Sequence, residues 1–162
     1  MRLVHYSASP LTAVRSVEQT DQPHFKPRGL WVSAETGNED GWAEWCLEES
    51  FALGRLACLS EIKLAADARI LRLASARDID EFTARRGVAA VPVYRTHRTI
   101  NWQPVAEEYQ GIIIAPYIWE RRLTDHAPWY YAWDCASGCI WDAAAIASIH
   151  LSEPLEQNEV QR

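Results

Sequence analysis

The chain has 162 residues, 48% apolar and 23% charged, with a net charge of −6 and a pI near 5.3. A chain of this length buries about 68–70% of its unfolded surface, so its core needs neither disulfides nor metal. An acidic balance disfavours a dedicated nucleic-acid binder, which uses a cationic face to release counterions from phosphate.

The chain begins with a short strand at 2–7, Arg-Leu-Val-His-Tyr-Ser, carrying a histidine near its end. Ser9-Pro10 opens a turn or a helix start, and a polar loop then runs to Lys26-Pro27-Arg28-Gly29. Leu30-Trp31-Val32-Ser33 reads as a second short strand, closed by the loop 35–41. Apolar residues at 42, 45, 46 and 51 predict a helix over 42–53, ended by Gly54. Two strand candidates follow, 57–64 and 69–73, separated by the turn Ala65-Ala66-Asp67-Ala68.

Residues 75–86 predict a helix, with Asp78 and Asp80 early and Arg85-Arg86 late, as its dipole favours. The stretch 88–99 reads as irregular. Asn101 caps a short helix through Tyr109, with Gly111 ending it. Ile112-Ile113-Ile114-Ala115 is the most apolar strand and is expected at the centre of a sheet. Residues 119–133 alternate aromatic and basic side chains and read as an ordered loop, a lid or partner surface within 117–133. Cys139-Ile140-Trp141 forms a last strand, and 143–149 a short helix or terminal turn. The polar residues 152–162 predict a frayed tail. These elements describe one α+β domain over 1–151, with two small, mostly antiparallel sheets and flanking helices.

No run of 18 apolar residues predicts a membrane span, and the opening MRLVHYSASP predicts no secretory signal, so a cytoplasmic location is expected. The four cysteines, at 46, 58, 135 and 139, lack the spacing of a zinc knuckle and read as reduced thiols, with no metal. Eight tryptophans are many for this length; rings of that size build an aromatic core or line a stacking site. There is no G-x-G-x-x-G, no Walker A loop, no H-E-x-x-H and no G-x-S-x-G.

Four short motifs remain, in a fixed order: His5-Tyr6-Ser7, Gly29-Leu30-Trp31-Val32-Ser33, Tyr109-Gln110-Gly111-Ile112-Ile113, and Ser137-Gly138-Cys139-Ile140-Trp141-Asp142. Trp42 follows Trp31 by eleven residues. This order resembles the ADP-ribosyltransferase superfamily. There, a first strand ends in His-Gly-Ser or His-Gly-Thr, and a second reads Gly-Ile-Tyr-Phe-Ala in the poly(ADP-ribose) polymerase branch. A second aromatic follows eleven residues later on a helix. In toxin-like members Tyr-Asp-Gly-Val-Ile and Glu-Tyr-Val-Val-Phe-Asp close the series.

The resemblance implies a split-sheet NAD-binding fold. It further implies mono-ADP-ribosyl transfer from NAD, as substrate, to a macromolecular acceptor, expected to be a protein. His5 would orient a ribose hydroxyl, Tyr6 and Ser7 would present backbone groups to the carboxamide, and Trp31, Ser33 and Trp42 would frame the nicotinamide. Ser137 stands where the family carries its glutamate, with Asp134 the nearby carboxylate; Glu107 or Glu108 are other sources of charge. A hydroxyl lacks the full negative charge that steadies a developing ribosyl cation, a loss of ~3 kcal/mol. The alternative is therefore a catalytically degenerate interaction or inhibitor module on the same fold. An enzyme acting on a 2′-phosphate is a third reading, and the acidic charge counts against it.

Overall fold

The computed structural model describes residues 1–89 and 98–152. Most of the stretch 88–99, and the tail expected at 152–162 beyond its first residue, lie outside the described residues. The described residues form nine strands and three helices: β1 Arg2–Ser7, β2 Leu30–Glu35, α1 Trp42–Glu48, β3 Cys58–Leu64, β4 Ile70–Leu73, α2 Ala76–Arg86, β5 Gly87–Ala89, β6 Arg98–Ile100, α3 Trp102–Glu108, β7 Gly111–Ile114, β8 Ser137–Ile140 and β9 Ile146–Ser152. Seven strands make one sheet in the order β4-β7-β8-β2-β1-β3-β9, and β5 and β6 form a separate ribbon. Every pairing in the large sheet is antiparallel except β4 with β7.

The expectation of two small sheets is therefore corrected to one large sheet and a ribbon. The reason lies in β8, which is buried throughout and pairs along both edges, with β2 and with β7. A Cβ at Gly138 would stand 2.6 Å from the carbonyl oxygen of Ile112, so only glycine lets β7 approach this closely. The sheet does part locally. The β1–β2 ladder holds only Arg2↔Glu35, Leu3↔Ala34 and Val4↔Ser33. Beyond it β1 pairs outward with β3 as far as Ser7↔Cys58, and β2 pairs outward with β8 as far as Leu30↔Ile140.

Local signals explain most elements. Ser75 caps α2 by accepting from the Asp78 amide at 3.2 Å, and Asp78 returns the bond by accepting from the Ala74 amide at 2.9 Å. Asn101 caps α3 by accepting from the Gln103 amide. The predicted helix over 42–53 stops instead at Glu48: Ser50 and Ala52 take left-handed backbone angles (φ 51° and 50°), and the Phe51 amide donates back to the Cys46 carbonyl. Gly54 consequently sits inside a following 3₁₀ turn, Leu53–Leu56.

Gly111 opens β7 rather than ending α3. β7 is fully buried between β4 and β8, one strand in from the edge rather than at the centre. The turn at 65–68 closes no hairpin, because β4 crosses to the far edge to run parallel to β7. The residues 143–149 expected as a helix or turn are a 3₁₀ turn at Ala143–Ala145 followed by strand β9 on β3. The aromatic loop after β7 is ordered by two 3₁₀ turns, Trp119–Arg121 and Pro128–Ala132. It is tied to α2 by the paired bonds of Arg121 to Asp80 at 2.8 and 2.7 Å. No helix among the described residues is long and apolar enough to cross a membrane.

Candidate functional site

A cleft of about 380 Å³ opens where β1 and β2 part. That volume falls in the range of small-molecule sites, roughly 300–1,000 Å³. Register explains its floor: Val4, Ser33 and Ser137 lie opposite one another on β1, β2 and β8, and Trp31 lies opposite Cys139. Strand alternation turns Val4, Trp31, Ser33 and Ser137 to the same face, and all four line the cleft. Gly29, just before β2, has φ +152°, and a Cβ there would stand 2.5 Å from the Ile140 carbonyl oxygen, so the strand enters the cleft at a glycine.

His5 bridges the parted strands. Its Nδ1 lies 2.8 Å from the Trp31 carbonyl oxygen; because that oxygen can only accept, Nδ1 carries the hydrogen and Nε2 is the ring's available nitrogen. Tyr6 donates its hydroxyl to Glu35 at 2.7 Å. Burial and then that carboxylate push its pKa well above the phenol range, so the ring is held neutral and fixed. The Tyr6 side chain is thereby pinned toward the far end of β2.

Two tryptophans wall the cleft. Trp42 starts α1, and its amide donates to Ser33 Oγ at 2.9 Å, which fixes the helix to the strand. Its ring stacks on Trp45 at 5.1 Å and meets Phe51 edge-on. Trp31 packs edge-to-face on the buried Trp133 at 4.8 Å, and the Lys26 ammonium lies 5.0 Å from the Trp31 ring centre.

Charge reaches the cleft from Lys26, Arg55 and Asp134. Asp134 stands 3.8 Å from both Lys26 Nζ and Arg122 Nη2, so its carboxylate is flanked by two cations. Ser137 is buried and donates to the Cys135 carbonyl at 3.0 Å. Burial pushes the Cys135 thiol up to about 12, with Lys26 among the groups that oppose the rise. Among the described residues no group of three His, Cys, Asp or Glu side chains could hold a metal ion.

The structure thus gathers His5, Tyr6, Trp31, Ser33, Trp42, Asp134 and Ser137 around one cavity, although they span 133 positions of sequence from 5 to 137. Ser7 does not line it; its hydroxyl donates to the Ser9 carbonyl at 2.6 Å, in a local turn beyond the cleft. Glu107 and Glu108, on α3, do not line it either, and Glu108 pairs with Arg86. Sequence reasoning missed Lys26, Arg55 and Cys135. The Lys-Pro-Arg-Gly run before β2 was the one available signal for Lys26, because it sets a cation five positions before Trp31. Compared with known proteins, the chain matches no family, no curated protein and no solved structure.

Proposed function

We propose that the cleft binds NAD in the manner of an ADP-ribosyltransferase and that the protein transfers mono-ADP-ribose from NAD to a macromolecular acceptor. The observation that carries this reading is the convergence of the resembling motifs: His5, Trp31, Trp42 and Ser137 come from separate elements and line one cavity. The parting of β1 and β2 at that point fits the split sheet that the resemblance implies.

Each residue has a task suited to its surroundings. His5, oriented through Nδ1, offers Nε2 to a ribose hydroxyl. Trp31 already holds an ammonium over its ring, and the same quadrupole attracts the cationic pyridinium of oxidised nicotinamide. The fixed backbone at His5 and Tyr6 meets the carboxamide. As the glycosidic bond to nicotinamide breaks, positive charge grows on the ribose, and Asp134 is the carboxylate available to steady it. Nicotinamide leaves with the bonding electrons, so holding the substrate in place supplies most of the catalysis.

A second reading is favoured by one observation at the same place. Ser137 carries no charge, and Asp134 is flanked by Lys26 and Arg122, which draw off part of its field. A module that binds NAD and does not turn it over fits those facts. Titrating NAD while following tryptophan fluorescence, and assaying released nicotinamide in the same sample, separates the readings. Saturable quenching with release supports the transferase, and quenching without release supports the module. No quenching at millimolar NAD contradicts both.

A further inference from the structure

The cleft holds two cations that none of the motifs includes. Lys26 lies over Trp31 and beside Asp134. Arg55 reaches the same cavity from the 3₁₀ turn Leu53–Leu56, which packs beside β1. That turn is held in an unusual backbone: Ser50 and Ala52, neither of them glycine, both take left-handed angles just before it. Such conformations are unfavourable for a residue with a side chain and persist where the surroundings enforce them, often at ligand clamps. Among the described residues Arg55, like Arg15, Arg28, Arg69, Arg72, Arg85 and Arg98, forms no ion pair, but of these only Arg55 lines the cleft. A chain of net charge −6 therefore sets an uncompensated guanidinium at the wall of an aromatic cleft.

Lys26 occupies a place that a ligand would want. Its ammonium covers the Trp31 ring, the face on which a pyridinium would stack, and its charge is shared with Asp134 at a loose 3.8 Å. A ligand carrying both a cationic ring and an anionic group could displace the ammonium from the ring and offer it a stronger partner within reach of its flexible stem. A neutral ribosyl ligand with the same ring would have to displace it without that compensation.

Resting on the NAD reading above, we propose that Lys26 and Arg55 form an anchor for the diphosphate of the ligand, and that Lys26 reaches it by leaving Trp31 and Asp134. The cleft then selects diphosphate-bearing nicotinamide ligands over their unphosphorylated nucleosides. The same exchange removes one of the two cations beside Asp134, so its carboxylate meets the ribose only when the diphosphate is in place.

The test compares NAD, ADP-ribose and nicotinamide riboside by calorimetry on the full chain and on Arg55→Ala and Lys26→Ala. Arg55 is exposed, so its variant should keep the wild-type melting temperature. Arg55→Ala is expected to weaken NAD and ADP-ribose about tenfold, the scale of a lost charged hydrogen bond, and to leave nicotinamide riboside unchanged. Lys26→Ala is expected to strengthen nicotinamide riboside, by freeing the ring, while the ratio of NAD to nicotinamide riboside affinity falls about tenfold. Wild-type binding of NAD with that ratio unaltered in both variants overturns the anchor and leaves the NAD reading standing. A wild-type chain that binds neither NAD nor ADP-ribose overturns both.

Discussion

Six of the eight tryptophans fall into two sets that differ in burial, with Trp45 packed behind Trp42 and Trp119 exposed. Trp102, Trp129, Trp133 and Trp141 are buried, and three of them satisfy their indole N–H: Trp129 donates to Thr83 Oγ1 at 2.8 Å, Trp102 to the His24 carbonyl at 3.1 Å and Trp141 to the Tyr109 carbonyl at 2.7 Å. Trp31 and Trp42 are only partly buried, and among the described residues neither indole N–H has a partner. A buried ring that ties down its polar edge is a fixture of the core. Trp31 and Trp42 stand half-open over the cleft, and a cation rests on Trp31. The core reading of the tryptophans thus holds for the four buried rings, and the stacking-site reading of Trp31 and Trp42 belongs to the proposal that their cleft takes NAD.

The largest expected effect lies on the core side. Trp129→Ala removes a ring with no exposed surface, packed on Phe82, Trp102, Tyr130 and Trp133. It should cost about 3–5 kcal/mol in chemical denaturation, whereas Trp42→Ala should cost about 1 kcal/mol. Equal losses would erase the distinction between the sets.

On the cleft side the effect moves from stability to binding. Trp31→Ala should weaken NAD by about tenfold or more, since stacking on an aromatic ring is worth about 1–3 kcal/mol. Its fold should survive, as judged by circular dichroism. Unchanged NAD affinity in a folded Trp31→Ala protein would remove this ring from the site.

A smaller effect sharpens the same contrast through pH. Burial raises the thiols of Cys135 and Cys139. A group whose pKa is raised on folding contributes its full stability below its unfolded value, about 8.5 for cysteine. That contribution is lost as pH climbs from there through the folded value, about 12 for Cys135. Stability measured by denaturant should fall steadily above about pH 8.5, and less so in Cys135→Ser than in the wild type. A wild-type curve flat from pH 8 to pH 11 would contradict the burial of these thiols.

How much of this was legible depends on the range of the interactions. Caps and strand starts are local, so Asn101 and β1 could be read directly from sequence, whereas Ser75, taken as the first residue of its helix, is the cap before it. The strand β9 was hidden because Ala143 to Ala145 resembles a helix start, while its identity as a strand comes from pairing with β3 some 85 residues earlier. The break after Glu48 was hidden because serine and alanine, rather than glycine, take the left-handed positions.

The residues of the four motifs, with Trp42, supply most of the floor and the tryptophan walls of the cleft. Register does the rest, and register between β2 and β8 spans more than a hundred residues. Lys26 and Arg55 could not be found, because a cation over an aromatic ring or beside a parted strand leaves no periodic mark. Ser7 was carried along by its motif, although it ends the strand beyond the cleft.

The most direct test is to record the indole N–H resonances of the eight tryptophans by nuclear magnetic resonance during an NAD titration, assigning them with Trp→Phe variants. The account predicts saturable shifts at Trp31 and Trp42, while Trp102, Trp129 and Trp141 stay in place. Saturable shifts confined to other rings, or none at millimolar NAD, would contradict the claim that this cleft is a dinucleotide site.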